Sequence, residues 1–298
     1  MHTVDTDTLR IGYRALGPDE GWPVVLSHGF PYDVHAYDEV APRLVKAGAR
    51  VIMPYLRGFG PTRFLSDATM RSGQQAALGN DVIDLLDALG IEQALLAGYD
   101  WGGLASCVAS ALWPKRVSGL VSYAGYDIID VERLGHAYSP HLEQFLWYQH
   151  LFQNERGREC LSLNRRELCR ILWKQWSPNW AFDDATFERT AASFDNPDFV
   201  AVVIHSYRFD FGLADGDPAL AALEARLAGK PLITVPAITI DGTQDPLKPG
   251  GTADHASMFT GRHEHRIVQC GHNLPWEAPQ DFADAVLMVR DWVAGTRK

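Results

Sequence analysis

In the first half of the chain, short apolar runs alternate with stretches whose hydrophobic positions recur every three or four residues. The run at 23–26 stops at His28-Gly29, which predicts a buried strand ended by a turn. Residues 34–47 carry Tyr37, Val40, Leu44 and Val45 at helical spacing, and 50–54 reads as a second strand. Residues 74–89 form a long helical pattern with Val82, Leu85, Leu86 and Leu89 on one face. A third strand at 94–98, a helix at 103–112 and a fourth strand at 119–123 complete the series. Strands alternating with helices in this way predict a mostly parallel central sheet flanked by helices on both faces.

The strand signal disappears between about 127 and 216. Helical, aromatic-rich sequence replaces it, with Phe145, Trp147, Tyr148, Phe152, Trp173, Trp176 and Trp180. The α/β pattern resumes with strands at 235–240 and 266–269 and an amphipathic helix at 280–293. The expected organisation is a core domain from 1–126 and 217–298, with a helical cap from 127–216 inserted between its halves. Repeats, low-complexity tracts and heptads are absent from the sequence.

Composition adds limits rather than chemistry. With 46% hydrophobic and 21% charged residues over 298 positions, the chain is of ordinary globular type. A formal net charge of −10 argues against nucleic acid or an anionic membrane as partner. No stretch approaches the roughly 18 unbroken apolar residues of a membrane span, and the opening residues lack the pattern of a secretory signal. Cys107, Cys160, Cys169 and Cys270 show no paired spacing, so neither a disulfide framework nor a zinc site is suggested. A reduced, cytoplasmic, enzyme-sized protein is the expectation, with its oligomeric state unreadable.

The chemistry centres on Leu95-Leu96-Ala97-Gly98-Tyr99-Asp100-Trp101-Gly102-Gly103. An apolar strand runs through a sharp turn into a helix, and glycines stand where the backbones crowd. This is the context of a nucleophile elbow with an aspartate at its centre. The following helix aims its N-terminal N–H groups at that side chain, which favours a carboxylate. Aspartates also cap helices without reacting, so the elbow needs partners.

Those partners follow in order. Ile240-Asp241-Gly242-Thr243-Gln244-Asp245 lies beyond a later strand, and Cys270-Gly271-His272 beyond the last. His272 is the candidate general base, oriented by an acid that fixes its tautomer. Asp241 sits at a strand end, whereas Asp245 lies in a loop able to reach the histidine; Asp245 is the choice. At His28-Gly29-Phe30-Pro31 a tight turn should present the Phe30 N–H beside that of Trp101 as an oxyanion hole. The bond to Pro31 is a candidate for the cis form.

Together, His28-Gly29-Phe30-Pro31, Gly98-Tyr99-Asp100-Trp101-Gly102-Gly103, Asp245 and Gly271-His272 resemble the α/β-hydrolase-fold epoxide hydrolases, an aspartate-nucleophile branch related to haloalkane dehalogenases. The resemblance runs from about Pro23 to the last helix. It implies two cap tyrosines that hold and protonate an epoxide oxygen. Tyr148-Gln149-His150-Leu151-Phe152-Gln153 matches the string of the first, and Ser206-Tyr207-Arg208 the second, with Ser206 departing from the aromatic residue usual there. It further implies a covalent ester on Asp100, hydrolysis assisted by His272, no metal and no organic cofactor. Phe30, Pro31, Trp101, Tyr148 and Tyr207 would contact the substrate, expected to be an apolar or aryl epoxide, with water as second reactant.

Two alternatives bear weighing. A haloalkane or haloacid dehalogenase uses the same aspartate, but those enzymes typically carry Asn where this chain has Phe30, or Arg where it has Trp101. A non-catalytic ligand-binding protein of the same fold would not need all three residues. The cluster His255, His263 and His265 reads as solvent-exposed rather than metal-binding. Arg57-Gly58-Phe59-Gly60 reads as a turn near the pocket rim, and Trp173, Trp176 and Trp180 as cap core.

Overall fold

Nine strands, among the residues described, make a single sheet: β1 (His2–Asp5), β2 (Leu9–Leu16), β3 (Trp22–Ser27), β4 (Ala49–Pro54), β5 (Arg63–Phe64), β6 (Ala94–Gly98), β7 (Val117–Tyr123), β8 (Ala237–Gly242) and β9 (His263–Val268). The computed structural model describes residues 1–134 and 136–296; Gly135, within the expected cap, and Arg297 and Lys298, at the end of the expected core, lie outside the described residues. The strand order is β1-β2-β4-β3-β6-β7-β8-β9, with β5 on β2. From β4 to β9 every neighbouring pair is parallel, whereas β1, β2 and β5 pair antiparallel. Central β6 is buried along its whole length, as a strand covered on both faces must be, and its sequence is accordingly unbroken apolar.

The N-terminal strands β1 and β2 escaped the sequence reading. Leu9 and Ile11 alternate with Arg10, but Gly12 and Arg14 interrupt the pattern before it becomes persuasive. The helix expected at 34–47 is two pieces, a 3₁₀ turn at Val34–Tyr37 and an α-helix at Ala41–Lys46. Pro42 explains the break, because a residue without an N–H fits only the first turn of a helix. Strand β9 begins three residues earlier than expected, and none of the grouped histidines is solvent-exposed: His263 and His265 are partly buried strand residues, and His255 is partly buried in the turn before the strand. His263 Nε2 lies 2.9 Å from Thr239 Oγ1, and His265 Nε2 lies 2.7 Å from Asp241 Oδ2. His255 Nδ1 meets the Tyr126 N–H at 3.1 Å.

Between β7 and β8 the regular elements are helical, with the main ones at Trp147–Leu151, Glu155–Trp176, Asp184–Ala191 and Phe199–Asp210. Their aromatic residues do more than fill a separate core. Trp173 donates from Nε1 to the Pro31 carbonyl at 2.8 Å and stacks on Tyr32, and Trp176 packs against the His272 ring. Buried Asp33 accepts from Thr190 Oγ1 at 3.1 Å and Ser193 Oγ at 2.6 Å, pinning the inserted helices to the loop after β3. No helix among the described residues is long and apolar enough to cross a membrane.

The Arg57 turn is held from beneath. The buried guanidinium meets Asp81 through two hydrogen bonds of 2.7 and 2.6 Å and donates to the Ser72 carbonyl at 2.8 Å. Phe59, two residues on, packs on Trp101 and Phe199. An Arg57→Leu substitution would strand the Asp81 carboxylate in a low-dielectric site. The expected loss is about 3–5 kcal/mol of unfolding free energy, read by urea denaturation; a loss below about 1 kcal/mol would show the pair to be dispensable.

Candidate active site

Asp100 stands in the sharp turn between β6 and the helix Trp101–Leu112, with φ 52° and ψ −130°. A positive φ is costly for a residue with a side chain and persists only where its surroundings enforce it. The enforcement is visible at two glycines. A Cβ on Gly102 would sit 1.9 Å from the Ser27 carbonyl oxygen, and one on Gly29 would sit 2.5 Å from Asp100 Cβ. Only hydrogen at these positions lets β3, the elbow and the helix start come together.

The two carboxylate oxygens of Asp100 have different neighbours. Oδ1 accepts from the Phe30 N–H at 2.7 Å and from the Trp101 N–H at 2.6 Å. Oδ2 faces His272 Nε2 at 3.3 Å. The peptide bond joining Phe30 to Pro31 is cis. Beneath it His28 is fully buried, and burial drags its imidazole down to about 4. It therefore stays neutral, and its Nε2 accepts from the Leu56 N–H at 3.1 Å.

His272 Nδ1 lies 2.9 Å from Asp245 Oδ2, while Asp245 Oδ1 accepts from the Leu247 N–H at 2.9 Å. Asp241 is otherwise engaged, taking His265 Nε2, the Thr252 N–H and the Thr252 hydroxyl. The loop carrying His272 is anchored at three consecutive N–H groups. Gly271 donates to Glu277 Oε2 at 2.8 Å, His272 to the Trp176 carbonyl at 3.0 Å and Asn273 to Ser177 Oγ at 3.1 Å. Two of the three anchors come from the inserted segment, which sequence reasoning did not foresee.

Burial by itself would lower the imidazole of His272, but the carboxylates of Asp245 and Asp100 outweigh it and raise the group to about 10. His272 is thus an imidazolium paired with two carboxylates near neutral pH.

Tyr148 and Tyr207 line the same cavity as Asp100 and His272, their rings perpendicular at 5.2 Å, and Phe30 packs on both. Burial holds both phenols above the ordinary range, so both remain protonated donors. Gln149 Nε2 donates to Tyr148 Oη at 3.0 Å and Gln153 Nε2 donates to the Tyr207 carbonyl at 3.0 Å. These glutamines belong to the string that carried Tyr148, though their part in holding the tyrosines was not foreseen.

All of Asp100, Trp101, His272, Tyr148 and Tyr207 line one cavity of about 700 Å³, and Leu104, Ile128, Leu142, Leu146, Leu247 and Met258 give it apolar walls. Phe30 packs behind it on the rings of Trp101 and Tyr148. Asp127, which the sequence reading missed, also lines the cavity; burial pushes its carboxyl up to about 7 against the opposing pull of Lys248. Among the described residues no group of three or more His, Cys, Asp or Glu side chains is placed to hold a metal ion.

At the C-terminal edge of the parallel sheet, the strained turn thus holds the Asp100 carboxylate between two N–H donors at Oδ1 and an imidazole facing Oδ2. The family model described as the alpha/beta hydrolase fold matches residues 23–279, and the chain belongs to that family. Within it, the chain is 44% identical to a proposed epoxide hydrolase from Klebsiella pneumoniae subsp. pneumoniae, whose crystal structure superposes with a TM-score of 0.95 over 97% of each chain. It is 34% identical over 155 residues to epoxide hydrolase B of Mycobacterium tuberculosis, a match spanning 47% of this chain and 42% of that protein. Epoxide hydrolase A of the same organism is 25% identical over 95% of both chains. The curated relatives matched first are thus covered over less than half of their own length.

The charge on His272 has a thermodynamic signature. Its folded value lies above the 6.5 of a free imidazole, so its stabilisation is complete below pH 6.5 and is lost as pH rises through about 10. Stability of the wild-type protein should therefore fall across this window, and that of His272→Gln should fall less. Urea midpoints at pH 6, 8 and 10 test this; parallel slopes for the two proteins would mean that His272 carries no such charge.

Proposed function

We propose that this protein is an epoxide hydrolase that opens an oxirane to a vicinal diol through an ester on Asp100, with residues 127–216 acting as the cap over the site. The observation that carries the reading is the division of labour at Asp100, one oxygen held by two backbone N–H groups and the other facing both the cavity and His272. The names of the similar proteins support the same reaction.

An oxirane carbon is saturated and opens by backside displacement, for which a carboxylate is a suitable nucleophile. Asp100 Oδ2 forms a bond to one ring carbon as the C–O bond on the far side breaks. Tyr148 or Tyr207 gives its proton to the departing oxygen, which spares the cavity a free alkoxide. Such acid assistance is worth about 10²–10⁴-fold. Oδ1 becomes the ester carbonyl oxygen and stays in the grip of Phe30 and Trp101.

Esterification removes the negative charge of Asp100, one of the two carboxylates that keep His272 protonated. The imidazolium then yields its proton, by way of water, to the tyrosine that lost one. The neutral imidazole, oriented by Asp245, deprotonates a water that attacks Cγ of Asp100. Negative charge develops on Oδ1, where two N–H donors are already aimed, so no reorganisation is needed. Collapse expels the diol with the proton from His272, and the new Asp100 carboxyl returns a proton to the imidazole. Water is consumed, the diol is formed, and the Asp100 carboxylate–His272 imidazolium pair is restored.

Incubation of wild type and Asp100→Ala with styrene oxide tests the proposal. The expected result is phenylethanediol from wild type and none from the variant. Halide release from a haloalkane, with no diol from any epoxide, would instead favour the dehalogenase reading. His272→Gln should accumulate the ester, seen in the intact-protein mass as a gain equal to one epoxide; an unmodified variant would sink the covalent route. Tyr148→Phe and Tyr207→Phe should each slow ester formation by on the order of 10²-fold, read by single-turnover kinetics.

A further inference from the structure

One buried carboxyl in the cavity has no part in the steps above. Asp210 closes the helix Phe199–Asp210, three residues after Tyr207, and lines the same cavity as both tyrosines. Side chains three apart on a helix project from one face with their Cβ atoms about 5–6 Å apart. Asp210 is 6% exposed, and its Oδ1 is fully buried with no hydrogen-bond partner in the protein. A buried polar oxygen left unpaired is costly, and rotation of the Asp210 carboxyl would exchange this oxygen with the part of the side chain that lines the cavity, where a ligand group can pair it.

We propose that Asp210 is a substrate-recognition group that hydrogen-bonds a hydroxyl carried beside the oxirane, so that this protein prefers epoxy alcohols to hydrocarbon epoxides. The inference rests on the epoxide hydrolase reading and deepens it. With the oxirane oxygen at the Tyr148 and Tyr207 hydroxyls, a helix-face neighbour of Tyr207 lies within reach of a substituent one carbon removed from the ring. Burial, reinforced by nearby Glu224, holds the Asp210 carboxyl well above the ordinary carboxylate range. The neutral acid both donates and accepts, as a hydroxyl does. The apolar walls around it would take the remainder of the substrate.

The test uses a pair of substrates differing in one group, 3-phenylglycidol and trans-β-methylstyrene oxide, which carry CH₂OH and CH₃ at the same ring carbon. Wild type should show the higher kcat/KM for the alcohol. In Asp210→Leu the ratio of the two kcat/KM values should fall about tenfold, the worth of one neutral hydrogen bond at the upper end. Asp210→Asn, which keeps a donor and an acceptor in nearly the same shape, should retain part of the preference. A ratio unchanged in Asp210→Leu, whether both rates hold or both fall, would overturn the recognition role. Diol formation by wild type without any preference for the alcohol would overturn it while leaving the epoxide hydrolase reading standing. Absence of diol from both compounds would overturn the two together.

Discussion

The site depends on one strained turn. Asp100 sits at positive φ because β3 and the first turn of the helix Trp101–Leu112 press on it with nothing larger than hydrogen at Gly29 and Gly102. That approach is what brings the Phe30 and Trp101 N–H groups to within hydrogen-bond distance of the same oxygen. The strain, of the order of 1–3 kcal/mol for a residue in such a conformation, is offset by two charge-assisted hydrogen bonds and by the close packing of the sheet centre. If the turn relaxed, one of the donors would lose its hold on Oδ1 and the carboxylate would rotate away from His272.

Around this turn the charges form a chain in which each member limits the next. Asp245 faces one nitrogen of His272 and Asp100 the other, so the buried imidazole holds a proton that burial alone would remove. Asp127 stands nearby against Lys248, and Asp100 adds to the rise of its carboxyl. A low dielectric makes these couplings strong, and a change of charge at Asp100 is therefore felt at once by its neighbours. In the proposed reaction that sensitivity is useful, because the loss of charge on esterification turns a stabilised imidazolium into a base.

The inserted helices take part in the site as well as covering it. Trp173 holds the Pro31 carbonyl, Trp176 holds the backbone of His272, and Thr190 and Ser193 hold Asp33 behind the turn at Phe30-Pro31. These bonds link the insertion to the loops after β3 and β9, so motion of the helices would reach the reacting groups through hydrogen bonds to those loops. The tyrosines are fixed in the same way, Tyr148 by its neighbour Gln149 and the Tyr207 carbonyl by Gln153 from the segment that carries Tyr148.

The sequence alone determined the parallel sheet, through its apolar runs and helical spacings, and the elbow with its later aspartate and histidine, because glycine and chain order are local features. It also pointed to Tyr148, Tyr207 and the turn at Phe30-Pro31 through short strings. It did not show β1 and β2, whose alternation is broken by Gly12 and Arg14, nor the split at Pro42, where a helical period continued across a residue that must start a new helix. Asp210, Asp127 and the anchors of the His272 loop were decided only by tertiary structure. Nothing in a string of residues says that Trp176 will meet His272, or that the carboxyl at 210 will face a cavity with one oxygen unpaired, since both follow from packing between segments far apart in the chain. Local conformation is written in neighbours along the sequence; burial, charge coupling and the partner of each polar atom arise only when distant elements are brought together.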